Sequence, residues 1–83
     1  MRAINKLTAR GVDALSKAGL YADGLGLYVQ VLDTGTKSWI FRYMLKGKAR
    51  KMGLGPVHTV SLGTARDKAA EARRKLLDGF DPI

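Results

Sequence analysis

The chain has 83 residues, of which 46% are hydrophobic, so it has room for one modest core in a single domain over residues 1–83. It carries 15 lysines and arginines against 7 aspartates and glutamates, a net charge of +8 that favours a polyanionic partner. The lack of cysteine excludes disulfides and thiolate metal sites, and no apolar run is long enough to cross a bilayer. We therefore expect a binding protein with no cofactor, no metal and no membrane partner.

The first predicted element is a short helix over residues 9–17. A polar segment, residues 1–6, precedes it and is expected to be loosely attached. Thr8 is a suitable N-cap and Gly19 a suitable stop. Asp23-Gly24 then predicts a turn before the first strand.

Three strands with alternating side chains are predicted next. The first begins at Leu25, the second runs from Lys37 to Leu45, and the third covers residues 49–54, before Pro56. A glycine-containing loop and the tight turn Lys46-Gly47-Lys48 connect them. Such short connections predict an antiparallel meander.

A longer helix closes the pattern. Ser61 is its predicted N-cap, Asp78 lies near its end, and Gly79 occupies the C′ position. One apolar stripe recurs every three or four residues: Leu62, Ala65, Ala69, Ala72 and Leu76. Residues 79–83 are expected to begin a linker.

These elements predict an α+β fold in which a three-stranded antiparallel sheet packs on a C-terminal α-helix, with a short N-terminal helix. The helix stripe must meet the apolar sheet face, which consists of Leu27, Val29, Val31, Trp39, Phe41, Tyr43, Met52 and Leu54. The other sheet face, called the open face below, is then free for contact.

Positive charge concentrates on the second hairpin. Between Asp33 and Asp67 there is no acidic residue, whereas basic residues recur throughout that window. Phosphates favour such a density of charge, and a β-ribbon can enter the DNA major groove. The alternative is a solvated hairpin whose lysines prevent edge-to-edge aggregation. His58 stands alone and cannot complete a metal site by itself.

Several blocks of the chain resemble a known family. They are Leu7-Thr8, Asp23-Gly24-Leu25-Gly26-Leu27-Tyr28-Val29, Gly35-Thr36-Lys37-Ser38-Trp39-Ile40-Phe41-Arg42-Tyr43, Leu54-Gly55, Ser61-Leu62, Ala65-Arg66 and Gly79-x-Asp81-Pro82. In this order they resemble the N-terminal domain of phage and genomic-island integrases, which are tyrosine-type site-specific recombinases. The resemblance implies binding of arm-type DNA sites through the open face. It also implies a catalytic domain elsewhere in a longer protein, so this chain is not expected to be an enzyme itself.

The resemblance and the basic hairpin together predict which residues contact DNA. They are Tyr28, Gln30, Lys37, Ser38, Ile40, Arg42, Met44, Lys46, Lys48, Arg50 and Lys51. Family members often carry a basic residue at the positions of Ile40 and Met44. Some contacts here are therefore expected to be apolar, for example to a thymine methyl. Double-stranded DNA is the implied partner, with other integrase subunits or a directionality factor as further ones. The implied location is the bacterial cytoplasm, on the nucleoid when bound.

Two other functions fit the same pattern. The α-β-β-β-α order with a basic final helix also suits a double-stranded RNA-binding domain. An open sheet face can instead dock a neighbouring recombinase subunit or an accessory factor. Titration with B-form DNA and A-form RNA of equal length distinguishes these hypotheses.

Overall fold

The computed structural model describes residues 6–83, which form two helices and four strands. In chain order the elements are α1 (Ala9–Ala14), β1 (Gly19–Gly24), β2 (Leu27–Val31), β3 (Lys37–Leu45), β4 (Lys48–Pro56) and α2 (Leu62–Leu77). The strands make one antiparallel sheet in the order β1-β2-β3-β4, and α2 packs on one of its faces. The predicted α+β class and the packing of the sheet on the C-terminal helix are confirmed.

The prediction of three strands is wrong, because β1 adds a fourth at the edge of the sheet. It pairs with β2 from Gly19 opposite Val31 to Ala22 opposite Tyr28. The segment contains two glycines and shows no clear alternation, so its own strand propensity is low. It forms a strand because its backbone pairs with β2. Leu25, expected to begin a strand, lies instead in the turn after β1 and is 37% exposed.

That turn is a two-residue connection. Leu25 and Gly26 have φ angles of 54° and 88°, and Gly24 pairs with Leu27 across them. Positive φ at both central residues is the type I′ geometry, whose twist matches that of antiparallel strands. The β3–β4 turn has the same form, with φ of 50° at Lys46 and 77° at Gly47.

The helix caps confirm the predicted starts, whereas α1 is shorter than expected. Thr8 Oγ1 accepts from the Gly11 N–H at 3.0 Å, but α1 already ends at Ala14. Ser61 Oγ accepts from the Thr64 N–H at 3.2 Å, and Gly79, with φ of 88°, follows α2 as predicted. Residues 1–5 of the N-terminal segment lie outside the described residues.

Strand β3 has the predicted bounds, and β4 is longer than predicted at both ends. Pro56 lies within β4 as its last residue, opposite Ser38, where its missing N–H interrupts no interior ladder bond. Leu54 joins the core from β4 as its alternation with Met52 predicts, and a register irregularity after it places Gly55 opposite Trp39.

The core forms between the covered sheet face and the alanine stripe of α2. Ala65, Ala69 and Ala72 are at most 3% exposed, and these small side chains let the helix lie close to the sheet. Trp39 is 1% exposed, and its indole N–H donates to the Val60 carbonyl at 2.6 Å. The prediction that Trp39 belongs to the core is confirmed, and the opposite sheet face remains uncovered by either helix.

Candidate nucleic-acid interface

The open face carries the strand residues whose side chains point away from α2. Cross-strand register places together Leu20, Ala22, Tyr28, Gln30, Ser38, Ile40, Arg42, Met44, Ala49, Lys51 and Gly53. Among these described strand positions there is no acidic residue, and both charged members, Arg42 and Lys51, are basic. They lie opposite each other on β3 and β4. The open face is therefore mostly uncharged, with two positive charges side by side on β3 and β4.

The β3–β4 hairpin extends beyond the other two strands. The last β2–β3 pair is Leu27 with Phe41, whereas β3 and β4 remain paired as far as Leu45 and Lys48. We call the two-stranded extension, residues 42–51, the hairpin arm. The arm brings Arg42 and Lys51 together with Lys46 and Lys48 at its end, and all four residues are exposed.

Arg42 is held at its backbone and at its head group. Its N–H donates to the Gly26 carbonyl at 2.8 Å, and its guanidinium carbon lies 5.3 Å from the centre of the Tyr28 ring. Within residues 6–83 it has no ion pair, so its hydrogen-bond donors remain available to a ligand. Arg42 is therefore an ordered cation that is not neutralised.

Ile40 lies at the centre of the open face but offers little surface. Ile40 is only 9% exposed. It is paired with Tyr28 on β2, and its neighbours on the same face of β3 are Ser38 and Arg42. Met44, nearer the end of the arm, is 63% exposed. Of the two apolar candidates, Met44 is the accessible one.

Lys37 and Arg50 do not lie on the open face. Both have the same side-chain direction as Trp39 and Met52, toward α2. The Lys37 ammonium donates to the carbonyls of Val12 and Asp13 at 3.0 and 2.9 Å, at the end of α1. That contact gives Lys37 a structural role, since it satisfies carbonyls that a helix end leaves without partners.

Arg50 lies near an acidic partner in the C-terminal segment. Its guanidinium is 3.5 Å from the Asp81 carboxylate, which also accepts from the Tyr43 hydroxyl at 2.8 Å. The Ile83 N–H and the Tyr43 hydroxyl hold the pKa of Asp81 below its ordinary value. Residues predicted to begin a linker are thus bonded to the sheet, a contact that the sequence analysis did not foresee.

Arg66, one of the basic residues in the positively charged window, forms an ion pair with the buried Asp23. Its Nη2 and Nε lie 2.8 and 2.9 Å from the Asp23 carboxylate, and Nη2 also donates to the Leu7 carbonyl. Burial raises the pKa of Asp23, but hydrogen bonds from Arg66 and the Leu7 N–H outweigh it and hold that pKa below its ordinary value. Asp23 is therefore more than a turn former, and Arg66 is not free to bind phosphate.

Strand β1 adds two residues to the open face that the sequence analysis missed. They are Leu20, opposite Gln30, and Ala22, opposite Tyr28. Leu20 is 44% exposed and lines a depression of about 290 Å³ together with Arg42 and Lys51. No periodicity in residues 19–24 indicated a strand, so only the pairing with β2 reveals these side chains.

Other kinds of site find little support in residues 6–83. This part of the chain has no group of three histidine, cysteine or acidic side chains arranged to hold a metal ion. His58 is exposed in the connection between β4 and α2. None of the helices described is both long and apolar enough to cross a membrane.

Comparison with known proteins gives a consistent picture. The chain is 41% identical over 61 residues, 74% of its length, to an integrase of Shigella phage Sf6 and equally to the prophage integrase IntS of Escherichia coli K12. It is 38% identical over 82 residues, 93% of its length, to an integrase of Enterobacteria phage P4. The chain spans only 16% of the first two proteins and 19% of the third. Residues 7–83 match the model of the Arm DNA-binding domain, and the chain therefore belongs to that family.

Proposed function

We propose that this chain binds arm-type DNA sites in a sequence-specific manner through its open face, as the N-terminal domain of a bacterial integrase. The observation that carries this proposal is the hairpin arm, whose exposed charges are all basic within the described structure. The relatives named above are integrases, and we extend their role in recombination to the longer protein to which this domain would belong. Other integrase subunits or a directionality factor would then be its protein partners.

The shape of the arm fits the DNA major groove. Two paired strands lie about 4.8 Å apart, and with their side chains they fit a groove about 12 Å wide. Arg42 projects from the flat side of this ribbon, whereas Lys46 and Lys48 lie at its turn. In this orientation Arg42 faces base edges and the lysines face the phosphates that flank the groove.

The side chains suit these two roles. The planar guanidinium of Arg42 can donate two parallel hydrogen bonds to guanine O6 and N7. Lysine is a point charge on a flexible stem, which suits phosphate contacts that carry no sequence information directly. We therefore assign recognition of the DNA bases to Arg42, and contacts with the DNA phosphates to Lys46, Lys48 and Lys51.

Helix α2 offers no comparable surface, which weakens the alternative of double-stranded RNA. The exposed charges of α2 and its C-cap are balanced, three basic and three acidic: Asp67, Lys68, Glu71, Arg74, Lys75 and Asp78. Arg66 is paired with Asp23, and Arg73 donates to the Leu25 carbonyl at 3.1 Å. The helix therefore has no basic face directed at solvent.

Selection from a pool of random DNA duplexes tests the proposal. We expect the domain to enrich one sequence motif and to bind the selected duplex more tightly than a scrambled duplex of equal composition. An RNA duplex of the same length should bind no better than scrambled DNA. Enrichment of no motif would contradict sequence-specific binding, and tighter binding of RNA would favour the alternative function.

A further inference from the structure

We propose that Tyr28 and Gly26 are positioning residues for Arg42, and that Tyr28 sets DNA specificity through this arginine and not through its own hydroxyl. The inference rests on the proposed function, because it assumes that Arg42 faces DNA. It assigns to the β1–β2 turn and to β2 a role in ordering a side chain that belongs to β3.

The Tyr28 ring supports the charged end of Arg42. Tyr28 lies opposite Ile40, so Arg42 is its diagonal neighbour on the same face, and the guanidinium carbon is 5.3 Å from the ring centre. A cation over an aromatic face within about 6 Å is attracted by the ring quadrupole. The guanidinium thus lies over the ring, and within residues 6–83 no carboxylate pairs with it, so its N–H donors remain available.

Gly26 fixes the other end of the same residue. Its carbonyl accepts the Arg42 N–H at 2.8 Å, and a Cβ added at Gly26 would lie 2.7 Å from the Arg42 carbonyl oxygen. That distance is shorter than real Cβ contacts, and Gly26 also has a φ of 88°. The close approach of the turn to β3 therefore requires glycine, and it holds the backbone from which Arg42 projects.

Ordering Arg42 before DNA arrives has a thermodynamic consequence. A long side chain that becomes immobile on binding loses rotamer freedom, which opposes association. An arginine whose charged end is already held over a ring has less of that freedom left to lose when it binds DNA. Tyr28 should therefore increase the preference for the correct base without contacting it.

A double-mutant cycle on the selected and scrambled duplexes tests the inference. Tyr28→Leu should lower the preference for the selected duplex by roughly two- to tenfold, the range expected for one freed side chain. Tyr28→Phe, which keeps the ring, should leave the preference unchanged. With Arg42 replaced by alanine, Tyr28→Leu should have no further effect. Equal losses in Tyr28→Phe and Tyr28→Leu, or an undiminished Tyr28→Leu effect in the Arg42→Ala background, would overturn the inference.

NMR of the DNA-free domain separates this inference from the proposed function. The ring should shift the Arg42 side-chain resonances upfield and restrict the motion of its Nε–H. Tyr28→Leu should abolish both effects and Tyr28→Phe neither. Unchanged motion in Tyr28→Leu would contradict positioning, whatever the DNA result. A wild-type domain without sequence preference, but with an ordered Arg42, would contradict the proposed function and the role in specificity while confirming the contact itself.

Discussion

Three arginines of this domain, one on each of β3, β4 and α2, lie in different environments. Arg66 is paired with the buried Asp23, Arg50 lies 3.5 Å from Asp81, and Arg42 is exposed beside Tyr28. A guanidinium that already binds a carboxylate is partly neutralised and has fewer of its five N–H donors free, which is a cost when it binds DNA. Of these three arginines, Arg42 is the one whose donors a DNA base can reach without such a cost.

Tryptophan at position 39 shows how one residue supports the core. Replacing Trp39 by alanine should lower the free energy of unfolding by about 3–5 kcal/mol, because a large side chain that is 1% exposed leaves a cavity. Trp39→Phe should lose less, about 1–3 kcal/mol, mostly from the hydrogen bond to Val60. Urea denaturation measures both. Leu77→Ala, at an 87% exposed position, serves as the control and should change stability by less than about 0.5 kcal/mol. An equal effect of Trp39→Ala and this control would show that Trp39 is not in the core.

At the scale of elements, the hairpin arm depends on local sequence and on its place in the sheet. The β3–β4 turn needs positive φ at Lys46 and Gly47, which the glycine adopts without strain. The arm extends freely because β2 begins only at Leu27, opposite Phe41. A two-stranded ribbon with basic residues at its end is the result.

Replacing Lys46 and Lys48 together by glutamine tests the role of the arm's end. If the domain neutralises about five phosphates, log K against log salt should have a slope of about −4 to −5. The double substitution should make that slope shallower by about two, with similar weakening on selected and scrambled duplexes.

The matched control for this substitution lies on α2. Lys68 and Lys75 are exposed on the opposite side of the domain, and changing both to glutamine removes the same charge. This second pair should change the slope far less. A similar change for both pairs would show that net charge, and not the hairpin arm, governs binding.

At the scale of the whole molecule, the Asp23–Arg66 pair joins distant parts of the chain. Asp23 belongs to β1, Arg66 to α2, and both bond to the backbone of Leu7 ahead of α1. The Lys6 N–H donates to the Asp23 carbonyl at 2.9 Å, so Lys6 is not loosely attached as the sequence suggested. One ion pair thereby connects the N-terminal segment, the sheet and the C-terminal helix.

The pH dependence of stability should reveal this pair. Because the folded-state pKa of Asp23 is lowered, its contribution is present above the unfolded value of about 3.9 and is lost as pH falls through the folded value. At neutral pH, Asp23→Asn should cost about 1–3 kcal/mol, since Arg66 keeps 32% of its side chain exposed. The difference from wild type should shrink as pH falls below about 4. Asp33→Asn in the exposed β2–β3 loop is the control, and a pH-independent difference for Asp23→Asn would contradict the assignment.

The sequence by itself determined the parts of the fold that depend on local periodicity and caps. Alternation in residues 37–45 predicts β3 with its observed bounds, and Ser61 and Gly79 mark the two ends of α2. The apolar stripes of sheet and helix also identified the covered face, and with it the open face. These features are readable because side-chain direction follows from the helical and strand periods alone.

Only the tertiary structure decided which residues of the basic window are available. Strand β1 has no pattern of its own, since pairing with β2 is what makes it a strand. The sequence alone does not distinguish Arg42 from three other basic residues of this window, Lys37, Arg50 and Arg66. Each of these three contacts a partner far away along the chain. The physical reason is that a charge becomes structural or available according to the groups that folding brings beside it, and sequence spacing does not encode those long-range contacts.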